Sequence, residues 1–366
     1  MEMKIRLGDI QITDEQKKIV SEILDSGNIT EGKYVKLFEK EVAKFLGAKH
    51  VIAVTNGTVS MQLISHYLQY KHKRKMMVCV PATTFPATLN AFYNCGFDVM
   101  LCDVGKDLNI DLNCLSEEQK KLIDVLVPVS LLGYPPKMTQ IMEEAEKYDW
   151  YVVEDFAEAF GSSYNGKKLG TIGDFGSSSF YVSHVIQAGE LGIVVTNDDE
   201  AAAIMRSMKN HGRVGSNLEF THDYIGSNYK VTEFVVGLCY PQILKADSII
   251  AERQSNVLKV FNGIENPRLS PYPFSRECSY LGYPILADTP EYKKEICSYL
   301  NSHGIETRGM FPCLANQKAY DGIIMETGSC YPTSDYLEKY GFYIGVHQYL
   351  RDDEIETIIK GLNEAL

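Results

Sequence analysis

His50-Val-Ile-Ala-Val54-Thr55-Asn56-Gly57-Thr58 runs a short β-branched segment into a polar turn, and a helical pattern follows over 58–70. A strand that ends in a polar turn and passes straight into a helix is one half of a β-α-β unit. The alternation recurs along the chain. β-rich runs stand at 76–80, 98–102, 124–129, 150–154, 177–181 and 192–196, with helical patterns at 84–94, 137–147 and 200–209. Strands alternating with helices predict an α/β domain on a mostly parallel mixed sheet flanked by helices. Beyond it, one long helix is expected from about Thr232 towards Val260. A strand at 280–286, a helix at 290–302 and a last helix at 352–364 then suggest a smaller C-terminal α+β domain. The boundary falls near 245, giving domains 1–245 and 246–366. In open parallel sheets ligands bind beyond the carboxyl ends of the strands, so chemistry is sought there first.

Composition narrows the classes. With 45% hydrophobic and 23% charged residues, the 366-residue chain has ordinary globular make-up. No apolar run approaches the ~20 residues of a membrane span, and Met1-Glu-Met-Lys-Ile-Arg6 lacks the apolar core of a secretory signal. A net charge of −12 argues against a general nucleic-acid or anionic-membrane surface. The nine cysteines are scattered, with no Cys-x-x-Cys or Cys-x-Cys, so neither a disulfide framework nor a compact zinc or iron–sulfur site is expected. A cytoplasmic location is the expectation.

Four strand ends carry candidate chemistry. At Asn56-Gly57-Thr58 a glycine lets the backbone approach a ligand, and a helix N-terminus favours an anion such as phosphate. A plain strand–helix turn capped by Thr58 explains the same residues. In Glu154-Asp155-Phe-Ala-Glu158 an aspartate follows an apolar strand, where it is poorly hydrated and calls for a cationic partner. A capping role is the plain alternative. In Ser177-Ser-Ser179-Phe180-Tyr-Val-Ser183-His184, hydroxyls suit phosphate and a histidine suits proton transfer near neutral pH. Gly226-Ser227-Asn228-Tyr229-Lys230-Val-Thr232 is a polar loop ahead of the long helix, with Thr232 as its expected N-cap. Taken singly, each stretch is equally well explained by structure.

Their order and spacing together resemble the DegT/DnrJ/StrS sugar aminotransferases, which have the fold-type-I aminotransferase architecture. The resemblance runs nearly end to end, through Ser26-Gly27…Gly32…Phe38-Glu39, Asn56-Gly57-Thr58, Pro81-Ala-Thr-Thr84-Phe85, Glu154-Asp155, Gly173-Asp174-Phe-Gly176, Asn210-His-Gly-Arg213 and Asn228-Tyr229. It implies a pyridoxal 5'-phosphate or pyridoxamine 5'-phosphate cofactor. Gly57, Thr58 and Ser179 would hold the phosphate, Phe85 would stack on the ring, and Asp155 would keep the ring nitrogen protonated. Glu158 stands where the family commonly has Gln, against the other ring face. Asn228 would reach the phosphate in a neighbouring subunit, which implies a homodimer with shared sites. Arg308 and Gly345–Tyr349 match regions that border the substrate cleft, although a structural salt bridge is the plainer role for Arg308.

One departure bears on function. The family's lysine follows Ser-Phe-x-x-x-Lys; here the pattern is Ser179-Phe180-Tyr-Val-Ser183-His184. An imidazole cannot form the Schiff base that holds pyridoxal phosphate between turnovers, but it can carry a proton. This resembles a branch of 3-dehydratases acting on nucleotide-linked 4-keto-6-deoxyhexoses. The implied reaction expels the carbon-3 hydroxyl of the sugar and releases ammonia, with glutamate as the implied donor that restores the amine. Gly189-Glu190 also match that branch. Val185, where a second histidine often stands, and Leu191, where glycine does, depart from it. The missing Cys-x-Cys argues against an electron-transfer version. Three readings remain open: the dehydratase, an aminotransferase that works without the lysine (with Lys209 or Lys230 as a less favoured substitute amine), and a binding homologue without catalysis that acts as a regulator or partner.

Overall fold

The computed structural model describes residues 4–215, 221–325 and 330–364. Seven strands form the main sheet: β1 His50–Val54, β2 Met77–Pro81, β3 Asp98–Cys102, β4 Val125–Leu126, β5 Tyr151–Asp155, β6 Phe175–Ser179 and β7 Gly192–Thr196. Their spatial order is β1-β7-β6-β5-β4-β2-β3. Strand β7 is antiparallel to both neighbours, and the other pairings are parallel. The sheet is therefore mixed and mostly parallel, as expected. Both faces are buried, which is why the strands read as continuous apolar runs. Side chains alternate across it: Val51 and Ala53 join one core, Ile52 and Val54 the other.

The C-terminal lobe carries an antiparallel sheet of β8 Leu269–Pro271, β9 Tyr283–Ala287, β10 Thr307–Gly309 and β11 Gly341–Ile344, ordered β8-β9-β11-β10. Helices Pro290–Ser302, Pro332–Tyr340 and Asp352–Glu364 supply further residues of its core. Residues near the N-terminus return to this lobe. The amides of Lys4 and Ile5 both donate to Gly304 O at 3.0 Å, and the Leu7 amide donates to Glu306 Oε2 at 3.0 Å.

Local differences from the expectation have physical causes. Strand β4 spans two residues rather than 124–129, although pairing continues past it: Val127 N donates to Cys79 O at 2.9 Å and Val129 bridges Asp155 in parallel. The strand expected at 177–181 ends at Ser179, and residues 180–190 form a loop closed by Phe180 N to Leu191 O and Ala188 N to Phe180 O, both 2.8 Å. The single helix expected from Thr232 to Val260 is two, Glu233–Ile243 and Ala246–Gly263, bent by 65°. Apolar residues continue across the bend, so periodicity alone joins them. Thr232 stands at the N-cap position without a side-chain cap bond. Glu233 instead accepts from the amides of Gly32, Tyr34 and Val35, at the N-terminus of helix Lys33–Leu46, where a carboxylate complements the helix dipole. No single helix among the described residues is long and apolar enough to cross a membrane, and only this bent pair reaches that composition jointly.

Candidate active site

A cavity of about 550 Å³ opens beyond the carboxyl ends of β1, β5 and β6, bounded on its other side by Arg308, Phe311 and Tyr343 of the C-terminal lobe. That volume is in the range of small-molecule sites. Gly57, Thr58, Phe85, Asp155, Glu158, Ser179 and His184 all line it.

The β1 end is shaped by close packing. Asn56, rather than Thr58, caps helix Gly57–His72, its Oδ1 accepting from Val59 N at 2.9 Å. Thr58 is thereby left facing the cavity. The amides of Gly57 and Thr58 occupy the first helical turn, where no internal acceptor exists. A Cβ on Gly57 would come 2.8 Å from Ser179 Cβ, and one on Gly192 would come 2.3 Å from the Asn56 backbone. Glycine is required here because three strand ends crowd together.

At the end of β5, Asp155 points into the cavity. Its Oδ2 accepts from Thr88 Oγ1 at 2.8 Å and its Oδ1 from Ala157 N at 3.2 Å, and Thr88 is within 3.0 Å of Thr84 Oγ1. Burial raises its pKa, and the two hydrogen bonds oppose that. Among the described residues no cationic side chain pairs with it. Glu158 accepts from Leu132 N at 2.7 Å. Burial, together with the nearby Asp155 charge, pushes Glu158 up to about 7. Leu132 itself sits in the left-handed region, φ 53°, where a non-glycine residue is strained.

His184 lies in the loop after β6. Its Nδ1 is 3.0 Å from Ser179 O, a carbonyl that can only accept, so Nδ1 carries the proton and Nε2 the lone pair. Burial pushes the ring down to about 4 against the opposing pull of the Ser179 and Ala157 carbonyls, so the imidazole is neutral at pH 7. Tyr181 packs edge-on to it, with ring centroids 6.0 Å apart. Phe85 is 59% exposed at the cavity wall, with Phe311 edge-on at 6.4 Å.

Other expected residues lie elsewhere. Asn228 is exposed and does not line this cavity; it bridges to Asn210. Neither Lys209 nor Lys230 lines the cavity: Lys209 pairs with Glu31 at 2.5 Å and Lys230 donates to Asn210 Oδ1 at 2.8 Å. Arg308 lines the cavity and is held only loosely by Glu306, at 3.4 Å. Of the 345–349 segment none reaches it, whereas Tyr343 does. Sequence reading passed over Thr88, the Leu132 amide and Tyr343. Thr88 alone left a trace, four residues after Thr84 within the helical pattern expected at 84–94, although the helix itself begins at Pro86. Among the described residues no cluster suits a metal ion.

A family profile described as the DegT/DnrJ/EryC1/StrS aminotransferase family matches residues 10–363. The chain belongs to this family. It is 29% identical to the GDP-perosamine synthase of Escherichia coli O157:H7 over 96% of both chains. The solved E. coli GDP-4-keto-6-deoxy-D-mannose-3-dehydratase, with bound hydrated PLP, superposes with a TM-score of 0.91 at 25% identity, covering 99% of this chain and 100% of that one. A variant of the dehydratase ColD, in which adjacent serine and histidine residues are replaced by asparagine and lysine, matches at 26% identity and a TM-score of 0.89, over 97% and 100% of the two chains.

The cavity fits the B6 cofactor used across such relatives. It has a helix start with no room for a Cβ, a buried carboxylate that no cation pairs with among the described residues, and an aromatic wall.

Proposed function

We propose that this protein is a pyridoxamine/pyridoxal phosphate enzyme acting on a nucleotide-linked 4-keto-6-deoxy sugar, and specifically a 3-dehydratase with His184 as proton carrier. The observation that carries the reading is the site itself: a neutral imidazole occupies the family's lysine position, and among the described residues no lysine lines the cavity. The dehydratase relative changed at adjacent serine and histidine residues supports it, because this chain has Ser183-His184.

The cofactor, when bound, supplies an amine for the sugar ketone and a ring that withdraws electrons. The chain's residues do the rest. Gly57, Thr58 and Ser179 hold the phosphate end, and Asp155 keeps a proton on the ring nitrogen. Nε2 of His184 accepts a proton from carbon and returns it to the leaving carbon-3 hydroxyl, which departs as water. The bound cofactor would supply the two electrons that leave carbon 3 reduced as its hydroxyl departs; hydrolysis would release its amino group as ammonia, and glutamate would restore the amine form. Asn228, exposed near the 93%-exposed Ile225, completes the phosphate site of a second copy, so the working unit is a homodimer.

The test is to incubate the pyridoxamine-phosphate-loaded protein with nucleotide-linked 4-keto-6-deoxy sugars and follow products by NMR. A 3-deoxy-4-keto sugar with equimolar ammonia is expected, and His184→Asn should lower the rate roughly 10²–10⁴-fold. A 4-amino sugar without ammonia would establish the aminotransferase reading, which the perosamine synthase relative favours.

A further inference from the structure

Arg253, in the middle of helix Ala246–Gly263, is the largest fully buried side chain, with 0% of its surface exposed. Among the described residues no carboxylate pairs with it. Its donors go to neutral oxygens: Nε to Gln348 Oε1 at 2.9 Å, Nη1 to Tyr280 O at 2.8 Å and Leu281 O at 3.4 Å, and Nη2 to His184 O at 3.3 Å. A buried guanidinium without a counter-ion is costly, and this one is pushed down to about 9 by burial. The cost secures one arrangement: a rigid fork joins three segments remote in sequence, and one of them is the loop of His184.

We propose that Arg253 is a positioning residue for His184, tying the His184 carbonyl to Tyr280, Leu281 and Gln348 so that the loop and the C-terminal lobe hold one geometry. This rests on the reading of His184 as proton carrier.

The rest of the loop shows why such a tie is needed. Its far end is fixed at Gln187, whose backbone is bonded on both sides by Gln242, at 3.1 and 2.6 Å. Around His184 the loop is held by the turn from His184 N to Tyr181 O at 2.9 Å, by Tyr181 N to Ser179 Oγ at 3.3 Å, by the ring bond to Ser179 O and by burial of Val185 and Ile186. Arg253 fastens this stretch from behind. The charged and titratable groups that share the cavity with the ring are Asp155 and Glu158 from the β5 turn, Tyr181 and Glu190 from its own loop, and Arg308 and Tyr343 from the C-terminal sheet. Arg253 acts from the opposite side, and burial is the larger of the two effects that lower the ring's proton affinity. His347, on the other flank of the guanidinium, is likewise pushed down to about 4 by burial first and Arg253 second.

The test uses the full-length protein. In the cofactor-free form, the His184 ring resonance, assigned by its loss in His184→Asn, is titrated by NMR in wild type, Arg253→Lys and Arg253→Met. In the loaded form, kcat and KM are measured for each. Arg253→Lys keeps the charge but cannot span the three segments. Its kcat should fall about 10–100-fold, with KM within about twofold and the His184 midpoint near wild type. Arg253→Met should in addition raise the midpoint towards the ordinary 6.5. Should Arg253→Met fail to fold, Gln348→Ala, which frees one anchor and keeps the charge, should lower kcat several-fold without changing KM. Wild-type kcat and His184 midpoint in Arg253→Lys and in the second variant, with only stability reduced, would overturn the proposal. If His184→Asn itself turns over normally, the proton-carrier reading has failed instead, while the NMR midpoints still report whether Arg253 holds the ring neutral.

Discussion

Glu154 and Asp155 are neighbours on one strand and do opposite work. Glu154 is 2% exposed and points away from the cavity, where its oxygens accept from the amides of Gly170, Ile172 and Gly173 at 2.8, 2.7 and 2.8 Å. Asp155, on the other face, meets one hydroxyl, one amide and open cavity. Burial raises the pKa of both carboxyls. The contrast shows that burial alone does not mark a functional carboxylate. What marks it is burial with acceptor capacity left over, and the cavity supplies the missing partner.

The largest way to break the comparison is Asp155→Asn. Turnover should fall roughly 10²–10³-fold while the denaturant midpoint stays near wild type, measured by steady-state rates and urea unfolding. Near-normal turnover would make Asp155 as structural as its neighbour.

Next comes pH, read on the cofactor-free protein by urea unfolding between pH 4 and 8. Glu158, at about 7 in the folded chain against an ordinary 4.5, stabilises fully below 4.5 and loses that contribution as pH rises to 7. His184, at about 4 against an ordinary 6.5, does the reverse: its contribution is present above 6.5 and lost as pH falls to 4. Glu158→Gln should remove the first dependence, roughly 3 kcal/mol at most, and His184→Asn the second. A Glu158→Gln profile parallel to wild type would show that the carboxyl does not titrate in this window.

Glu154→Gln should cost about 1–3 kcal/mol of stability, because an amide NH₂ replaces an acceptor facing backbone N–H groups. Activity per folded molecule should be unchanged. A kcat loss without a stability loss would reverse the roles of the two neighbours. The smallest effect is expected for Thr88→Val, which removes one hydrogen bond to Asp155, worth about 1 kcal/mol. It should lower turnover several-fold without changing KM, and an unchanged kcat would show that the hydroxyl does not tune the carboxylate.

Much of the fold was legible because its signals are local. Strands β1, β3 and β7 and the helices at 290–302 and 352–364 coincide with the expected segments, since buried strands are short apolar runs between turn residues. The bend at 244–245 was not legible, because the apolar pattern continues through it. In the site, Gly57, Asp155 and His184 were found from strand ends and motif order. Leu132 was missed because it contributes a backbone amide, which no side-chain pattern reports.

The sequence by itself determined the strand–helix alternation and the order of the candidate turns, which spacing fixes, and the family resemblance marked His184 as standing where a lysine is expected. The tertiary structure alone set Thr88 against Asp155, the Leu132 amide against Glu158 and Arg253 against the His184 carbonyl. The reason is physical. Periodicity says which residues share a face, but which face becomes a packed core and which a cavity depends on what the sheet order β1-β7-β6-β5-β4-β2-β3 and the C-terminal lobe bring against it.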